Sequence, residues 1–81
     1  MKKKWLTSKN GLEKTFTFKN FSEALAFVIR VGLESEKENH HPDILIQWNK
    51  VHLTLISHDA GDKITNKDLK LAEEIDALLK K

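Results

Sequence analysis

The sequence predicts an α+β domain of order ββαββα, in which a four-stranded antiparallel sheet carries two helices packed on one face. Three observations lead there. Two stretches alternate apolar and polar residues around a turn signal, each is followed by a stretch of helical period, and the chain is short. With 81 residues it cannot divide its apolar side chains between two cores, so residues 1–81 read as a single domain.

The first hairpin is marked by Asn10-Gly11, a pair that tolerates the positive φ of a type I′ turn. Pairing outward from that turn sets Lys9 against Leu12 and Trp5 against Phe16. Phe16 and Phe18 alternate with Thr15, Thr17 and Lys19, so one face of the hairpin is apolar. A helix is predicted from Phe21 to about Glu38, on the spacing of Phe21, Leu25, Val28, Ile29, Gly32 and Leu33. Asn20 with Glu23 marks its start as a capping box, and Pro42 pushes the chain after it into extended conformations.

Period two returns in Ile44, Ile46, Trp48, Val51, Leu53 and Leu55. A turn at Asn49-Lys50 pairs Trp48 with Val51, Ile46 with Leu53 and Ile44 with Leu55, placing all six on one face and Trp48 in the core. A loop around Ala60-Gly61-Asp62 leads to the last helix. Thr65 and Asp68 form its capping box, and Leu71, Ala72, Ile75, Leu78 and Leu79 form its apolar stripe.

Composition narrows the function classes. Without cysteine there are no disulfides and no thiolate metal sites. Fourteen basic residues are interleaved with twelve acidic ones at a net charge of +2, which gives no field for nucleic acid. No apolar run reaches the roughly 18 residues of a membrane helix, and the basic start Met1-Lys2-Lys3-Lys4 is followed by no apolar leader segment, so a cytoplasmic protein is expected. A domain this small buries only about 60% of its unfolded surface, and self-association into a homodimer or homotetramer is the expected source of further burial.

The chemistry-bearing residues are the histidines: His40, His41, His52 and His58 lie within nineteen positions. The expected register sets His52 against Gln47 and, if pairing runs past Pro42, His58 against His41, all on the face opposite the aliphatic one. Glu36 continues the helical row Leu25, Ile29, Gly32, and so is expected at the end of the buried stripe. Three imidazoles and a carboxylate suit proton transfer, because an imidazole offers acid and base forms near neutral pH. Plainer readings stand beside this one. His52 facing Gln47 is a polar cross-strand pair, Asp68 is explained as a cap, and Glu36 belongs to a solvated run with Glu34 and Glu38. Zinc on His40, His41 and His58 is disfavoured because adjacent histidines on extended backbone point apart. Ser57 and His58 likewise project to opposite faces, against a serine triad.

The run Glu36-Lys37-Glu38-Asn39-His40-His41-Pro42, followed by Trp48, His58 and Asp68, resembles the signature of the pterin-4a-carbinolamine dehydratases. Asn49-Lys50-Val51-His52-Leu53-Thr54-Leu55 looks like that family's central strand. The resemblance implies dehydration of a 4a-hydroxytetrahydropterin to the quinonoid dihydropterin in tetrahydrobiopterin recycling, with no metal or organic cofactor. It gives His40, His41 and His58 the catalytic acid and base work, makes Glu36 and Asp68 substrate-binding or orienting groups, and puts Trp48 in an aromatic slot. It also implies a functional link to an aromatic amino acid hydroxylase. Some members double as a dimerisation cofactor of a homeodomain transcription factor through a helical surface, so a non-catalytic protein-binding module is the alternative, with a dehydratase of a different pterin beside it. Where relatives often carry an aromatic residue after the proline, this chain has Asp43-Ile44-Leu45.

Overall fold

The computed structural model describes residues 4–79. Its elements are β1 (Leu6–Ser8), β2 (Gly11–Thr17), α1 (Phe21–Glu38), β3 (Asp43–Gln47), β4 (Lys50–Leu55), a single 3-10 turn (His58–Ala60) and α2 (Asn66–Ala77). The four strands form one antiparallel sheet in the order β1-β2-β4-β3, so the two hairpins join through their inner strands. The apolar face presents Leu12 and Phe16 from β2 and Val51, Leu53 and Leu55 from β4, and both helices cover it with Ala24, Phe27, Val31, Leu71, Ala72 and Ile75.

Both hairpins differ from the expected register by two residues. In the first, Ser8 faces Gly11, Thr7 faces Leu12 and Leu6 faces Glu13, so the turn is Lys9-Asn10. The Ser8 hydroxyl accepts the Asn10 N–H at 3.1 Å and holds the turn. Gly11, at φ +124°, lies in the strand, where an added Cβ would come 2.2 Å from the Leu55 carbonyl oxygen; the glycine permits β2 to approach the end of β4. In the second hairpin Gln47 faces Lys50, Ile46 faces Val51 and Ile44 faces Leu53, so the turn is Trp48-Asn49. Asn49 is engaged elsewhere. Its carbonyl accepts the Phe18 N–H at 2.8 Å, and its side-chain amide donates to the Phe18 carbonyl at 2.9 Å, tying the turn to the link between β2 and α1. Trp48 takes the left-handed conformation in its place, at φ +50°, and is 71% exposed rather than in the core.

A slip of two residues preserves which side chains share a face, whereas a slip of one would have inverted the sheet. The aliphatic face therefore forms as expected, and His52 still points to the other side. It stands between Leu45 on β3 and Thr15 on β2, not opposite Gln47.

Helix α1 has the expected bounds, with Asn20 Oδ1 accepting the Glu23 N–H at 2.9 Å, but the Glu23 carboxylate accepts the Lys19 N–H at 3.1 Å in place of the Asn20 N–H that a capping box uses. It buries a different face: Ala24, Phe27, Val31 and Ser35, while Phe21, Leu25, Ile29 and Leu33 are exposed. Apolar residues occupy more than half of this helix's circumference, so periodicity alone allows either face inward. Packing selects between them. Phe27 stacks between Phe16 and Phe18, with ring centroids 4.8 and 5.0 Å away, and the small Ala24 and Ser35 let the helix lie close to the sheet. The far end of the fold is tied by Asp76 of α2, which accepts from the Trp5 indole N–H at 3.1 Å and the Lys14 ammonium at 2.8 Å.

Candidate functional site

Helix α2 builds the centre of the site. Its buried stripe of Leu71, Ala72 and Ile75 continues one turn back to Asp68, so a carboxylate begins a row of apolar core residues and is fully buried. A carboxylate there must be satisfied by fixed donors. Asp68 Oδ2 accepts the Ser57 hydroxyl at 2.8 Å and the Thr65 N–H at 2.9 Å, and Oδ1 accepts the His40 Nε2–H at 2.5 Å. Burial pushes this carboxyl up, but the hydrogen bonds from His40, Thr65 and Ser57 outweigh it and hold Asp68 below the ordinary carboxylate range. Ser57 is itself fully buried and shares a 2.7 Å hydrogen bond with the Thr65 hydroxyl, closing the network.

His40 reaches Asp68 because α1 stops sharply. Asn39 adopts the left-handed conformation at φ +54°, its N–H returns to the Glu36 carbonyl, and the His40 N–H returns to the Ser35 carbonyl at 3.1 Å. The chain turns over the helix end, and the His40 ring is carried to the start of α2. With Nε2 committed to Asp68, Nδ1 is the ring nitrogen left to exchange a proton. The ring lines a shallow hollow with Glu38, Asn66, Lys67 and Lys70.

The other predicted site residues occupy more open positions. His41 Nε2–H donates to Glu36 at 2.9 Å, and Glu36 is 81% exposed, so it does not continue the buried stripe of α1. His58 opens the 3-10 turn, and its Nδ1–H donates to Asp62 at 2.6 Å. The hydrogen bond to Asp62 raises the His58 pKa, with smaller contributions from the charges of Asp62, Asp43 and Asp59. Asp59 is held below its ordinary value by Lys67, whose ammonium lies 2.9 Å away, and it also feels the charge of His40. The expected His41–His58 pair does not form. β4 ends at Leu55, β3 begins at Asp43, and the two-residue slip removes the register that would have aligned the two histidines.

Each site histidine is thus paired with its own carboxylate: His40 with Asp68, His41 with Glu36, His58 with Asp62. Ser57, Thr65 and Asp62 were not read as site residues. Asp62 carried a signal, four positions beyond His58 beside a glycine, whereas Ser57 and Thr65 become visible only once Asp68 is known to be buried. His52 lies outside this group on the helix-free face. Its Nε2–H donates to Glu13 at 2.8 Å and its Nδ1 accepts the Thr15 hydroxyl at 2.7 Å, while Glu13 also accepts from Ser8. The bonds from Ser8 and then His52 hold the Glu13 carboxyl below its ordinary value. The histidines do not gather ligand atoms for a metal; among the described residues the carboxylates of Glu34, Glu38 and Glu74 do, within 4.8 Å of one another.

Imidazoles held by carboxylates on the loops of an α+β sheet could take up and release protons. The model of the family described as pterin 4 alpha carbinolamine dehydratase matches residues 1–78. This chain belongs to that family. It is 48% identical over 71 residues to a Thermomicrobium roseum protein named "Putative pterin-4-alpha-carbinolamine dehydratase", covering 88% of this chain and 75% of the relative. A Sulfurisphaera tokodaii protein of the same name is 47% identical over 77 residues, covering 95% of this chain and 82% of the relative. Among solved structures, a transcriptional coactivator/pterin dehydratase from Brucella melitensis superposes with a TM-score of 0.81 at 31% identity, covering 91% of this chain and 78% of that one. A pterin dehydratase-like protein described as a RuBisCO assembly factor in the alpha-carboxysome gives 0.72 at 26% identity, covering 85% and 79%. Among the described residues no helix is long and apolar enough to cross a membrane.

Proposed function

We propose that this chain dehydrates a 4a-hydroxytetrahydropterin to the quinonoid dihydropterin, using histidines as acid and base. The observation that carries the reading is the His40–Asp68 pair, an imidazole whose orientation is set by a buried, ionised carboxylate at the edge of a surface hollow. In the reaction the lone pair of the nitrogen beside C4a forms the new double bond as the C4a–O bond breaks. An acid protonates the departing oxygen, which leaves as water, and a base collects the proton released by nitrogen. One proton is given and one is taken, so the protein's proton count is unchanged, and proton exchange with water then returns the acid and the base to their starting forms.

In this reading His40, His41 and His58 share the two transfers. Asp68 orients His40, and Glu36 and Asp62 hold the other two rings. The raised pKa of His58 suits it to give a proton near neutral pH. A cytoplasmic setting and a supply of substrate from an aromatic amino acid hydroxylase go with this proposal, as does recycling of tetrahydrobiopterin. A second reading, a protein-binding module without catalysis, draws on the exposed apolar face of α1 and on the assembly role given to the alpha-carboxysome relative.

The test is stopped-flow absorbance of 4a-hydroxytetrahydrobiopterin decay with and without the folded protein, with chelator present throughout. Acceleration that requires His40 and His58 supports the dehydratase. A folded protein that leaves the decay unchanged would favour the binding module or a different pterin.

A further inference from the structure

Asn10-Gly11, which marks the first hairpin, carries chemistry that neither the fold nor the proposed reaction uses. An asparagine side chain is open to attack by the backbone nitrogen of the next residue, and a following glycine leaves that approach unobstructed because it has no Cβ. Asn10 is exposed in the turn, outside the paired residues of β1 and β2. Gly11 cannot be exchanged for a bulkier neighbour, since an added Cβ would lie 2.2 Å from the Leu55 carbonyl oxygen. The fold therefore keeps the pair of residues that favours this attack. The other asparagines precede large side chains and are engaged. Asn20 Oδ1 accepts the Glu23 N–H ahead of Phe21, and the Asn49 amide donates to the Phe18 carbonyl ahead of Lys50. Asn39 closes α1 ahead of His40, and Asn66 opens α2 ahead of Lys67.

We infer that Asn10 is a self-modifying site, which converts with time to aspartate and isoaspartate and in doing so loosens β1. The Gly11 nitrogen gives its proton to hydroxide and bonds to Asn10 Cγ. The Cγ–Nδ2 bond breaks, ammonia leaves, and a five-membered succinimide remains. Water then opens the ring. Opening at Cγ gives aspartate, whereas opening at the main-chain carbonyl gives isoaspartate and routes the backbone through the side chain. The sum is asparagine plus water to an acid plus ammonia, so water is the one co-reactant.

Either product places a new carboxylate where the structure has no room for a second one. The Asn10 N–H is bonded to the Ser8 hydroxyl at 3.1 Å, and that hydroxyl donates to Glu13, so two like charges come to share one short turn. Isoaspartate also adds a carbon to the backbone between Ser8 and Gly11, and the turn that sets those two residues opposite one another no longer fits. β1 is an edge strand of three residues and has the fewest bonds with which to absorb the change. The loosening extends to the helices through Trp5, just before β1, whose indole N–H holds Asp76 of α2 at 3.1 Å. The inference goes beyond the dehydratase reading and does not depend on it.

The folded protein, held in mildly alkaline buffer, should gain one mass unit per chain at a rate proportional to hydroxide. Peptide mapping should place the change at Asn10, with isoaspartate identified by electron-transfer fragmentation. Asn10→Gln, whose longer side chain closes a less favourable six-membered ring, should stay unchanged over the same time. The modified chain carries one more negative charge and separates by ion exchange. Amide hydrogen exchange at Leu6–Ser8 should then run about tenfold faster than in fresh protein, with the amides of α1 unchanged. A first change at Asn20, Asn39, Asn49 or Asn66 would overturn the site. So would a folded sample that stays unmodified while a urea-unfolded sample converts fully. Exchange at β1 equal to that of fresh protein, in a chain modified at Asn10, would overturn the loosening of the strand.

Discussion

Two histidine–carboxylate pairs, His40–Asp68 and His52–Glu13, have similar nitrogen–oxygen distances, 2.5 and 2.8 Å, and opposite surroundings. Asp68 is fully buried on the core stripe of α2 and takes further hydrogen bonds from Ser57 and Thr65, so its carboxylate has nowhere else to turn. Glu13 lies on the helix-free face and shares itself with Ser8, so the His52 pair is a partly solvated clamp joining β1, β2 and β4. The same two chemical groups thus yield a firmly oriented imidazole in one place and a cross-strand tie in the other. Burial of the carboxylate separates them, because an ion without water holds its partners rigidly while one in water exchanges them.

The largest effect should come from Asp68→Ala, which removes the acceptor of three donors and the reciprocal half of the α2 cap. A loss of about 3 kcal/mol in urea unfolding is expected, in the range for breaking a buried charged pair. A loss no greater than that of Glu13→Gln would erase the contrast between the two pairs. His40→Ala comes next, with turnover of the hydroxypterin falling by roughly 10² as for a lost general acid or base, measured on protein shown to be folded.

Thr65→Ala should cost about 1 kcal/mol through the lost cap, with the Ser57 hydroxyl keeping its bond to Asp68. The smallest effect belongs to His52→Ala. Its turnover should stay within roughly twofold of wild type, since the ring takes no part in the proposed proton transfers. If His52→Ala were more damaging than His40→Ala in a folded protein, the site would have to be moved to the open face of the sheet.

Acidity offers a way to sharpen the comparison. The Asp68 pKa is lowered in the folded chain, so its stabilising contribution is present above about pH 4 and is lost as the pH falls through the lowered folded value. The His58 pKa is raised, so its contribution is complete below about pH 6.5 and is lost as the pH rises through the raised value. Urea midpoints across pH should therefore fall at the acid end, and Asp68→Ala should flatten that limb more than Glu13→Gln does.

Much of the fold is legible in the sequence. Alternation at Ile44–Leu55 and helical spacing at Phe21–Glu38 report local geometry that a strand or helix imposes on its own residues, and the caps at Asn20 and Thr65 satisfy amides within three positions. The resemblance of the histidines to a known signature likewise lies in residue types and spacing. These features depend on neighbours in the chain, and neighbours are what a sequence displays.

Contacts between distant segments were decided by the fold. The Phe18–Asn49 hydrogen bonds set the second turn one residue earlier than expected, and the Leu55 carbonyl set where Gly11 must lie. Phe27, held between two other phenylalanines, chose which apolar face of α1 turns inward and thereby left Glu36 in solvent. The pairing of His40 with Asp68 spans 28 positions and exists because both helices close over one sheet. Period and capping follow from the chain's own repeat, whereas register and burial follow from which surfaces meet, and that is settled when the whole core packs at once.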